Sequence, residues 1–182
     1  MIRVAINGFG RIGRFFTRAI QNHPNIQLVA INDLADTQTL AHLLKYDSVH
    51  GKFNGSIETI DNDIVINKKT IRILTEKKPE ELPWGELNID IVIESTGLFR
   101  TKELASQHIT AGAKKVIISA PSKSDNVKTI VLGINEDLID GTEKILSNAS
   151  CTTNATAPIL KVLNDLCKLE TVHLTTVHSY TN

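Results

Sequence analysis

Short, nearly continuous apolar runs alternate with segments of helical periodicity along most of the chain. Residues 2–6 form a short run rich in β-branched side chains, which predicts a strand. Residues 26–31 are almost continuously apolar, which predicts a second strand that is buried on both faces of a sheet. Between them, apolar side chains recur at helical spacing over residues 12–20, and His23-Pro24-Asn25 ends that helix. The chain therefore begins with a strand, a loop, a helix and a second strand.

The same alternation returns further along the chain. Asp36 or Thr37 can cap a helix whose apolar face is carried by residues 40–44. Thr101 caps another helix that extends to about Ala111, with Gly112 at the left-handed position that ends it. Further strands are predicted over residues 89–94, 115–119, 129–132 and 145–147.

A different pattern interrupts this alternation. Residues 57–60, 64–66 and 70–74 predict three short strands, joined by residues 61–63 and 67–69, whose Asp, Asn and Lys content is typical of hairpin turns. Together with the strands and helices around it, the pattern predicts a Rossmann-type, doubly wound and mostly parallel sheet with an antiparallel excursion. We assign this domain to residues 1–150.

The chain ends in one further helix and one further strand. Apolar positions over residues 159–166 predict a helix that Pro158 kinks or leaves with an irregular first turn, and a strand follows over residues 171–180. One helix and one strand bury too little surface to fold alone. Residues 151–182 are therefore predicted to begin a second domain.

Composition excludes several classes of protein. Of the 182 residues, 41% are hydrophobic and 22% charged, as in an average globular protein. The 20 basic and 20 acidic residues cancel, which gives no electrostatic basis for binding nucleic acid or an anionic membrane. No apolar run approaches a membrane span, and a strand beginning at Ile2 leaves no room for a signal peptide, so we expect a cytoplasmic protein.

The cysteines and histidines predict neither a disulfide nor a metal site. Cys151 and Cys167 would lie about 24 Å apart on one helix, too far to bridge. No pair of His or Cys residues has metal-ligand spacing, so we expect no structural zinc.

A glycine motif between the first strand and the first helix predicts a dinucleotide site. Residues 7–13 read Asn-Gly-Phe-Gly-Arg-Ile-Gly, and Asp33 closes the second strand twenty residues after Gly13. In such a motif Gly8 allows the tight turn, Gly10 admits the pyrophosphate, and Gly13 allows close packing of helix on sheet. The amides of Arg11 and Ile12 are then expected to point at the phosphates.

The acid and the strand ends extend this prediction. Asp33 is expected to accept hydrogen bonds from the adenine ribose and to repel a 2′-phosphate, which favours NAD over NADP. Because ligands of such sheets bind beyond the carboxyl ends of the strands, Ser95, Thr96, Gly97 and Ser119 are candidates to line the nicotinamide side. Ordinary hydrogen bonding at a strand end is an alternative for all four.

Cys151 is a candidate nucleophile. It lies at the amino terminus of a predicted helix, where the helix dipole favours the thiolate, and polar residues surround it in the segment Asn148-Ala149-Ser150-Cys151-Thr152-Thr153-Asn154. Cys167, between leucines, is typical of a small core residue. A base for Cys151 could be His173 or His178 on the predicted last strand, and spacing does not choose between them. The other four histidines show no pattern that points to a site.

Three segments resemble the glyceraldehyde-3-phosphate dehydrogenase family. Residues 7–14 (NGFGRIGR) resemble its cofactor loop, residues 149–154 (ASCTTN) its active-site segment, and residues 176–182 (TVHSYTN) the strand of its catalytic histidine. Residues 94–99 (ESTGLF) and 112–116 (GAKKV) also fit, so the likeness covers the whole chain.

The resemblance implies a catalytic pair. Cys151 would attack the aldehyde of D-glyceraldehyde 3-phosphate, and His178 would activate the thiol and act as acid and base while hydride passes to NAD. Inorganic phosphate would release the acyl group as 1,3-bisphosphoglycerate, as in glycolysis. Ser150, Thr152 and Thr181 would contact phosphate and substrate.

The resemblance also implies a larger assembly. Lys77 would make an adenine-side contact, although lysine lacks the planar fork of the arginine that is common at this position. Family members form homotetramers of chains about twice this length, with an α+β catalytic domain that begins near Cys151. We therefore expect these 182 residues to belong to a longer chain and to be inactive alone.

Two alternatives stay open. A related enzyme acting on erythrose 4-phosphate would share the cysteine, the histidine and the cofactor loop. An isolated NAD-binding fragment would bind the cofactor without turnover.

Overall fold

The computed structural model describes residues 1–178, and these form a single twisted sheet with helices beside it. The strands are β1 (Ile2–Asn7), β2 (Ile26–Asn32), β3 (Ile57–Ile60), β4 (Asp63–Ile66), β5 (Lys69–Leu74), β6 (Ile91–Glu94), β7 (Lys115–Ile118), β8 (Lys128–Thr129) and β9 (Ile145–Ser147). The helices are α1 (Arg11–Ile20), α2 (Thr37–Lys45), α3 (Lys102–Thr110) and α4 (Cys151–Cys167). Short 3₁₀ turns occupy Pro79–Glu81 and Glu136–Leu138.

The sheet has the strand order β3-β4-β5-β2-β1-β6-β7-β9-β8. The pairs β3–β4 and β4–β5 are antiparallel, and every other pair of neighbours is parallel. The predicted Rossmann-type sheet with an antiparallel excursion is confirmed. β1 pairs with β2 on one side and with β6 on the other, so the strand order reverses at β1. In sheets of this kind the ligand crevice lies beyond the carboxyl ends of the strands at such a point.

Apolar side chains on both faces of the sheet form the core. Ile6 and Ile31 pack with Leu40 and Leu44 of α2 in one cluster. Ala5 and Val92 belong to a second cluster around Trp84, which is fully buried. β2 contributes Leu28 and Ile31 to the first cluster and Ala30 to the second, so it is buried on both faces, as its continuous apolar run predicts.

Local chemistry fixes the ends of the elements. Asp36, not Thr37, caps α2, since its carboxylate accepts from the Thr39 amide at 2.8 Å. Thr101 caps α3 as predicted, and Gly112 adopts a φ of +102° just after that helix. The turn between β4 and β5 places both Asn67 and Lys68 at positive φ, as a tight hairpin turn requires.

Three predicted strands differ from the structure. β6 begins at Ile91, two residues later than expected, because its pairing with β1 starts there. β8 is shorter than the predicted strand 129–132, because the Asn135 side chain, not a neighbouring strand, takes the Val131 amide. The strand expected over residues 171–180 is wrong for residues 171–178. These residues are exposed and irregular, since no strand of the described chain lies beside them to complete a ladder.

Helix α4 stands apart from this core. It runs from Cys151 to Cys167 with Pro158 inside it, and its first turn is regular. None of its residues is buried, and Ile159, Val162 and Leu166 are exposed. The boundary between residues 150 and 151 stays a prediction.

Candidate active site

The glycine loop joins β1 to α1 in a conformation that side chains would prevent. Gly8 has a φ of +92°, and a β-carbon there would lie 2.6 Å from the Thr96 backbone nitrogen. A β-carbon on Gly13 would lie 2.4 Å from the Gly8 carbonyl oxygen. These two glycines therefore allow a close approach of backbone to backbone.

Gly10, unlike Gly8 and Gly13, has open space around its α-carbon. A β-carbon at this position would meet no atom within 4 Å. Gly10 is the N-cap of α1 and provides no side-chain cap, and the first turn carries no acidic residue. Arg11 and Ile12 are exposed there. The helix terminus thus faces open space with amide donors available, an arrangement that suits a phosphate group.

Asp33 lies just beyond the end of β2 and braces the loop. One carboxylate oxygen accepts from the Phe9 amide at 2.7 Å, and the other accepts from the Ala35 amide at 3.0 Å. The residue is partly exposed. Asp33 therefore holds the glycine loop, and its partly exposed carboxylate keeps lone pairs to which a ribose hydroxyl could donate.

The loop after β6 closes the other side of the crevice. Ser95 donates from its hydroxyl to the Gly8 carbonyl at 2.7 Å, which ties this loop to the glycine loop. Thr96 donates to the carboxylate of Glu94 from both its amide and its hydroxyl. Ser119 follows β7, and its amide donates to the Glu94 carbonyl at 2.9 Å. The four predicted strand-end residues, of which Gly97 is exposed, therefore gather at one edge of the sheet.

Two further predicted cofactor residues occupy contrasting positions. The Asn7 side chain turns inward, is 2% exposed and donates to Glu94 at 2.6 Å. Lys77 is exposed on the segment between β5 and the 3₁₀ turn at Pro79. The Asn7 side chain is thus engaged inside the protein, whereas that of Lys77 lies on the surface.

Cys151 is the first residue of α4. Ser150 caps this helix, with its hydroxyl oxygen accepting from the Thr153 amide at 2.9 Å. The Asn154 amide group donates to the Asn148 carbonyl at 2.7 Å and holds the preceding loop, in which Ala149 has a φ of +57°. Cys151 is exposed and carries a free thiol. The thiol therefore lies at the positive end of a helix, open to a substrate.

The side chain of His178 lies at the amino terminus of α4. Its Nε2 lies 3.2 Å from the hydroxyl oxygen of Thr152, the residue that follows Cys151. His173 and His178 were both predicted to lie on a strand, and residues 171–178 do not form one. The predicted substrate residue Thr181 lies outside the described residues.

Comparison with known proteins decides the family. Residues 2–102 match the family model of the glyceraldehyde 3-phosphate dehydrogenase NAD binding domain, and residues 150–182 match that of the C-terminal domain. The chain belongs to this family. Its cofactor is NAD, the ligand of the family domain that it matches.

Full-length relatives are similar over the whole chain. The chain is 55% identical to the glyceraldehyde-3-phosphate dehydrogenase of Clostridium pasteurianum over 182 residues, and 55% identical to that of Thermotoga maritima over 184 residues. The enzyme of Geobacillus stearothermophilus is 53% identical over 182 residues. Each match covers 100% of this chain and 54%, 55% and 54% of the respective relative, so the chain spans about half the length of these curated relatives.

The observed loop fits NAD. Gly10 and the uncapped terminus of α1 leave room and donors for the pyrophosphate, and Asp33 presents a carboxylate where a 2′-phosphate would be repelled. Arg14, which the sequence prediction omitted, donates to the Phe9 carbonyl at 2.9 Å. Desolvation by burial lowers the pKa of Arg14, while Asp47 and Asp33 oppose that shift. Arg14 thus holds the glycine loop through the Phe9 carbonyl.

Two classes of feature are absent from the described part of the chain. Over residues 1–178, no group of three or more His, Cys, Asp or Glu side chains could hold a metal ion. Within the same residues, no helix combines the length and the apolar character that crossing a bilayer would require.

Proposed function

We propose that this chain forms the cofactor-binding half of a phosphorylating glyceraldehyde-3-phosphate dehydrogenase. The enzyme would convert D-glyceraldehyde 3-phosphate, NAD and inorganic phosphate into 1,3-bisphosphoglycerate and NADH, as in glycolysis. The observation that carries this proposal is the exposed Cys151 thiol at the start of α4, with the His178 imidazole beside the next residue along the helix.

The first step uses the position of the cysteine. The amino terminus of α4 favours a thiolate at Cys151. In this proposal His178, whose Nε2 contacts the neighbouring Thr152, takes up the thiol proton. The sulfur adds to the aldehyde carbon and forms a hemithioacetal. The imidazolium of His178 then returns its proton to the carbonyl oxygen.

The second step converts the hemithioacetal into a thioester. His178 removes the hydroxyl proton while the carbon loses a hydride, so the two electrons of oxidation leave with that hydride. Bound NAD supplies the hydride acceptor. Attack of inorganic phosphate on the thioester then breaks the carbon–sulfur bond, releases the acyl phosphate and restores the Cys151 thiolate.

The helix terminus also suits a phosphorylated substrate. Thr152 presents a hydroxyl that is half-buried beside His178. Ser150 uses its hydroxyl to cap α4 and bonds the Thr153 hydroxyl at 2.7 Å, so in this proposal it contacts phosphate while retaining that cap. Thr181 completes the set through the resemblance of residues 176–182 to the family.

Several further assignments belong to the same proposal. Residues 1–150 would form the NAD domain, and residues 151–182 would begin a catalytic domain completed by a longer chain, since the relatives extend to about twice this length. The complete enzyme would be a cytoplasmic homotetramer. The exposed apolar side chains of α4 support a further domain, because a full catalytic domain would cover them.

NADH formation tests the proposal. The complete enzyme and the 182-residue chain are each mixed with NAD, inorganic phosphate and D-glyceraldehyde 3-phosphate, and the near-ultraviolet absorbance of NADH is followed. We expect turnover by the complete enzyme only, and none without phosphate. Faster turnover on erythrose 4-phosphate would replace the substrate assignment, and NAD binding without turnover by the complete protein would overturn the enzymatic proposal.

A further inference from the structure

Beneath the cofactor crevice, buried polar side chains form a continuous chain across the ends of three parallel strands. Glu94 and His108 have side chains that are 0% exposed, and Asn7 and Asn32 are also buried. We call this chain the buried network. Its members are Asn32, Asn7, Glu94, Thr96, His108 and Trp84.

A backbone donor fixes the direction of the bonds at one end. The Glu76 amide can only donate, and it donates to the side-chain oxygen of Asn32 at 2.8 Å. The Asn32 amide group must then donate, and it does so to the Asn7 side-chain oxygen at 2.7 Å. The Asn7 amide group is thereby left to donate to Glu94 at 2.6 Å.

An indole donor fixes the direction at the other end. The Nε1–H of Trp84 is a donor without acceptor capacity, and it lies 3.0 Å from Nδ1 of His108. His108 must therefore accept at Nδ1 and carry its proton on Nε2. That nitrogen lies 3.0 Å from a Glu94 oxygen, so the neutral imidazole donates to the carboxylate.

All of these donors converge on Glu94. One carboxylate oxygen accepts from Asn7 and His108, and the other accepts from the amide and the hydroxyl of Thr96. Four donors match the acceptor capacity of an ionised carboxylate and leave no place for a proton. Glu94 is thus a buried anion held by neutral donors, which is how a charge can be kept in a protein interior.

The buried network contacts the glycine loop of the cofactor site through Thr96. The Thr96 backbone nitrogen, bonded to Glu94, lies where a β-carbon on Gly8 would be only 2.6 Å away. The Thr96 hydroxyl also accepts from the Leu98 amide at 3.0 Å, so this side chain is engaged on both sides. The position of Glu94 therefore sets the separation of the β6 loop from the glycine loop.

We propose that His108 is a positioning residue of the NAD site. As the Nε2–H tautomer it holds an ionised Glu94, and Glu94 fixes Thr96 against Gly8 so that the crevice is preformed for NAD. The proposal depends on the NAD site alone and not on the aldehyde chemistry proposed above. Its tests need no turnover, so its failure and the failure of the proposed activity are distinguishable.

Neutron diffraction from deuterated crystals of the complete enzyme tests the protonation states without any substitution. We expect deuterium on Nε2 of His108 and none on Nδ1 or on either Glu94 oxygen. Deuterium on Nδ1, or on the carboxylate, would overturn the proposal.

Equilibrium binding of NAD tests the positioning role. His108→Leu removes the donor to Glu94, and we expect the dissociation constant for NAD to rise about tenfold. His108→Gln can still donate to Glu94 and should return the constant to within about threefold of the parent value. His108→Leu should also lower the thermal midpoint, because it deprives the Trp84 indole of its acceptor.

A substitution elsewhere on α3 provides the control for the His108 variants. Thr110→Ala changes an exposed side chain of the same helix and should leave the affinity for NAD unchanged. Unchanged affinity in folded His108→Leu would overturn the positioning role. So would an affinity that falls equally in the Leu and Gln variants, because only a general loss of stability would then be at work.

Discussion

The imidazole of His178 and the hydroxyl of Thr152 lie 3.2 Å apart, although 26 residues separate them in the chain. Thr152 is the second residue of α4 and directly follows Cys151. The contact therefore brings a titratable base to the helix turn that carries the exposed thiol, which neither residue's sequence neighbours could establish.

Replacement of the cysteine tests the nucleophile in the complete enzyme. Cys151→Ser should lower aldehyde-dependent NADH formation by about 10⁴-fold or more, because serine is a far weaker nucleophile at neutral pH. NAD binding, followed by titration, should persist. Cys167→Ser is the matched control, since this thiol lies at the far end of α4 and donates to the Leu163 carbonyl. Retained turnover in Cys151→Ser would remove Cys151 from the proposed role.

Replacement of the histidine tests the base. His178→Asn should slow alkylation of Cys151 by iodoacetamide at neutral pH and lower turnover by about 10²–10⁴-fold, because proton transfer loses its partner. His173→Asn provides the control on the same segment. An unchanged alkylation rate in His178→Asn, or an equal loss in His173→Asn, would contradict the assignment of His178.

The three glycines of the loop should respond differently to an added methyl group. Gly8→Ala and Gly13→Ala should lower the free energy of unfolding by at least about 1 kcal/mol, because their β-carbons would meet backbone atoms. Gly10→Ala should stay within about 1 kcal/mol of the parent, since its β-carbon meets nothing. NAD affinity should nevertheless fall about tenfold in Gly10→Ala. Denaturant titration and NAD titration separate the two effects, and full affinity in Gly10→Ala would contradict the expected pyrophosphate position.

Asp33 should affect both cofactor choice and loop stability. Asp33→Asn removes the charge but keeps one oxygen acceptor, whereas Asp33→Ala leaves the Phe9 and Ala35 amides without their partner. Both variants should raise the affinity for NADP relative to NAD. The alanine variant should lose about 1–3 kcal/mol of stability in denaturant titrations, and the asparagine variant should lose less, because it keeps one of the two acceptors. If neither variant changes selectivity, another residue determines it.

The ion-pair cluster of Lys128, Asp140 and Glu143, next to β8 at the edge of the sheet, should make the free energy of unfolding depend on pH. The hydrogen bond from Lys128 lowers the pKa of Glu143 from 4.5 to about 2, and the Thr142 hydroxyl lowers that of Asp140. Because the folded-state pKa of Glu143 is lowered, its contribution is present above about pH 4.5 and is lost as the pH falls through about 2.

Glu143→Gln checks this pH dependence. The difference in thermal midpoint between the parent and Glu143→Gln should be largest near neutral pH and should vanish in strong acid. Glu86→Gln, which removes an exposed carboxylate elsewhere, controls for the change in net charge. A difference between parent and Glu143→Gln that does not vary with pH would contradict the role of the Lys128 contact.

Local information was enough to predict most of the fold. The apolar runs of β1 and β2, the glycine loop between them and the cap at Thr101 are decided by neighbours within a few residues. The hydrophobic periodicity gave a wrong prediction for the last strand, because strand formation there depends on pairing with a distant segment. Residues 171–178 have the composition of a strand, but a strand forms only when another strand completes its hydrogen bonds.

The buried network shows what sequence reasoning missed at the site. Asn7, Asn32 and Glu94 each end an apolar strand, which was the available indication that they meet at one edge of the sheet. His108 showed no pattern as a helix residue, because its partners Trp84 and Glu94 lie 24 and 14 residues away.

The sequence alone therefore determined the order of the elements up to α4, the glycine loop with its acid, and the cysteine at a helix terminus, since each depends on contacts between near neighbours. Only the tertiary structure decided which donors surround Glu94, that Asp33 braces Phe9, and that His178 reaches Thr152. Those contacts depend on strand order and on the path of the chain between distant segments, and both are settled by packing of the whole sheet rather than by local preference.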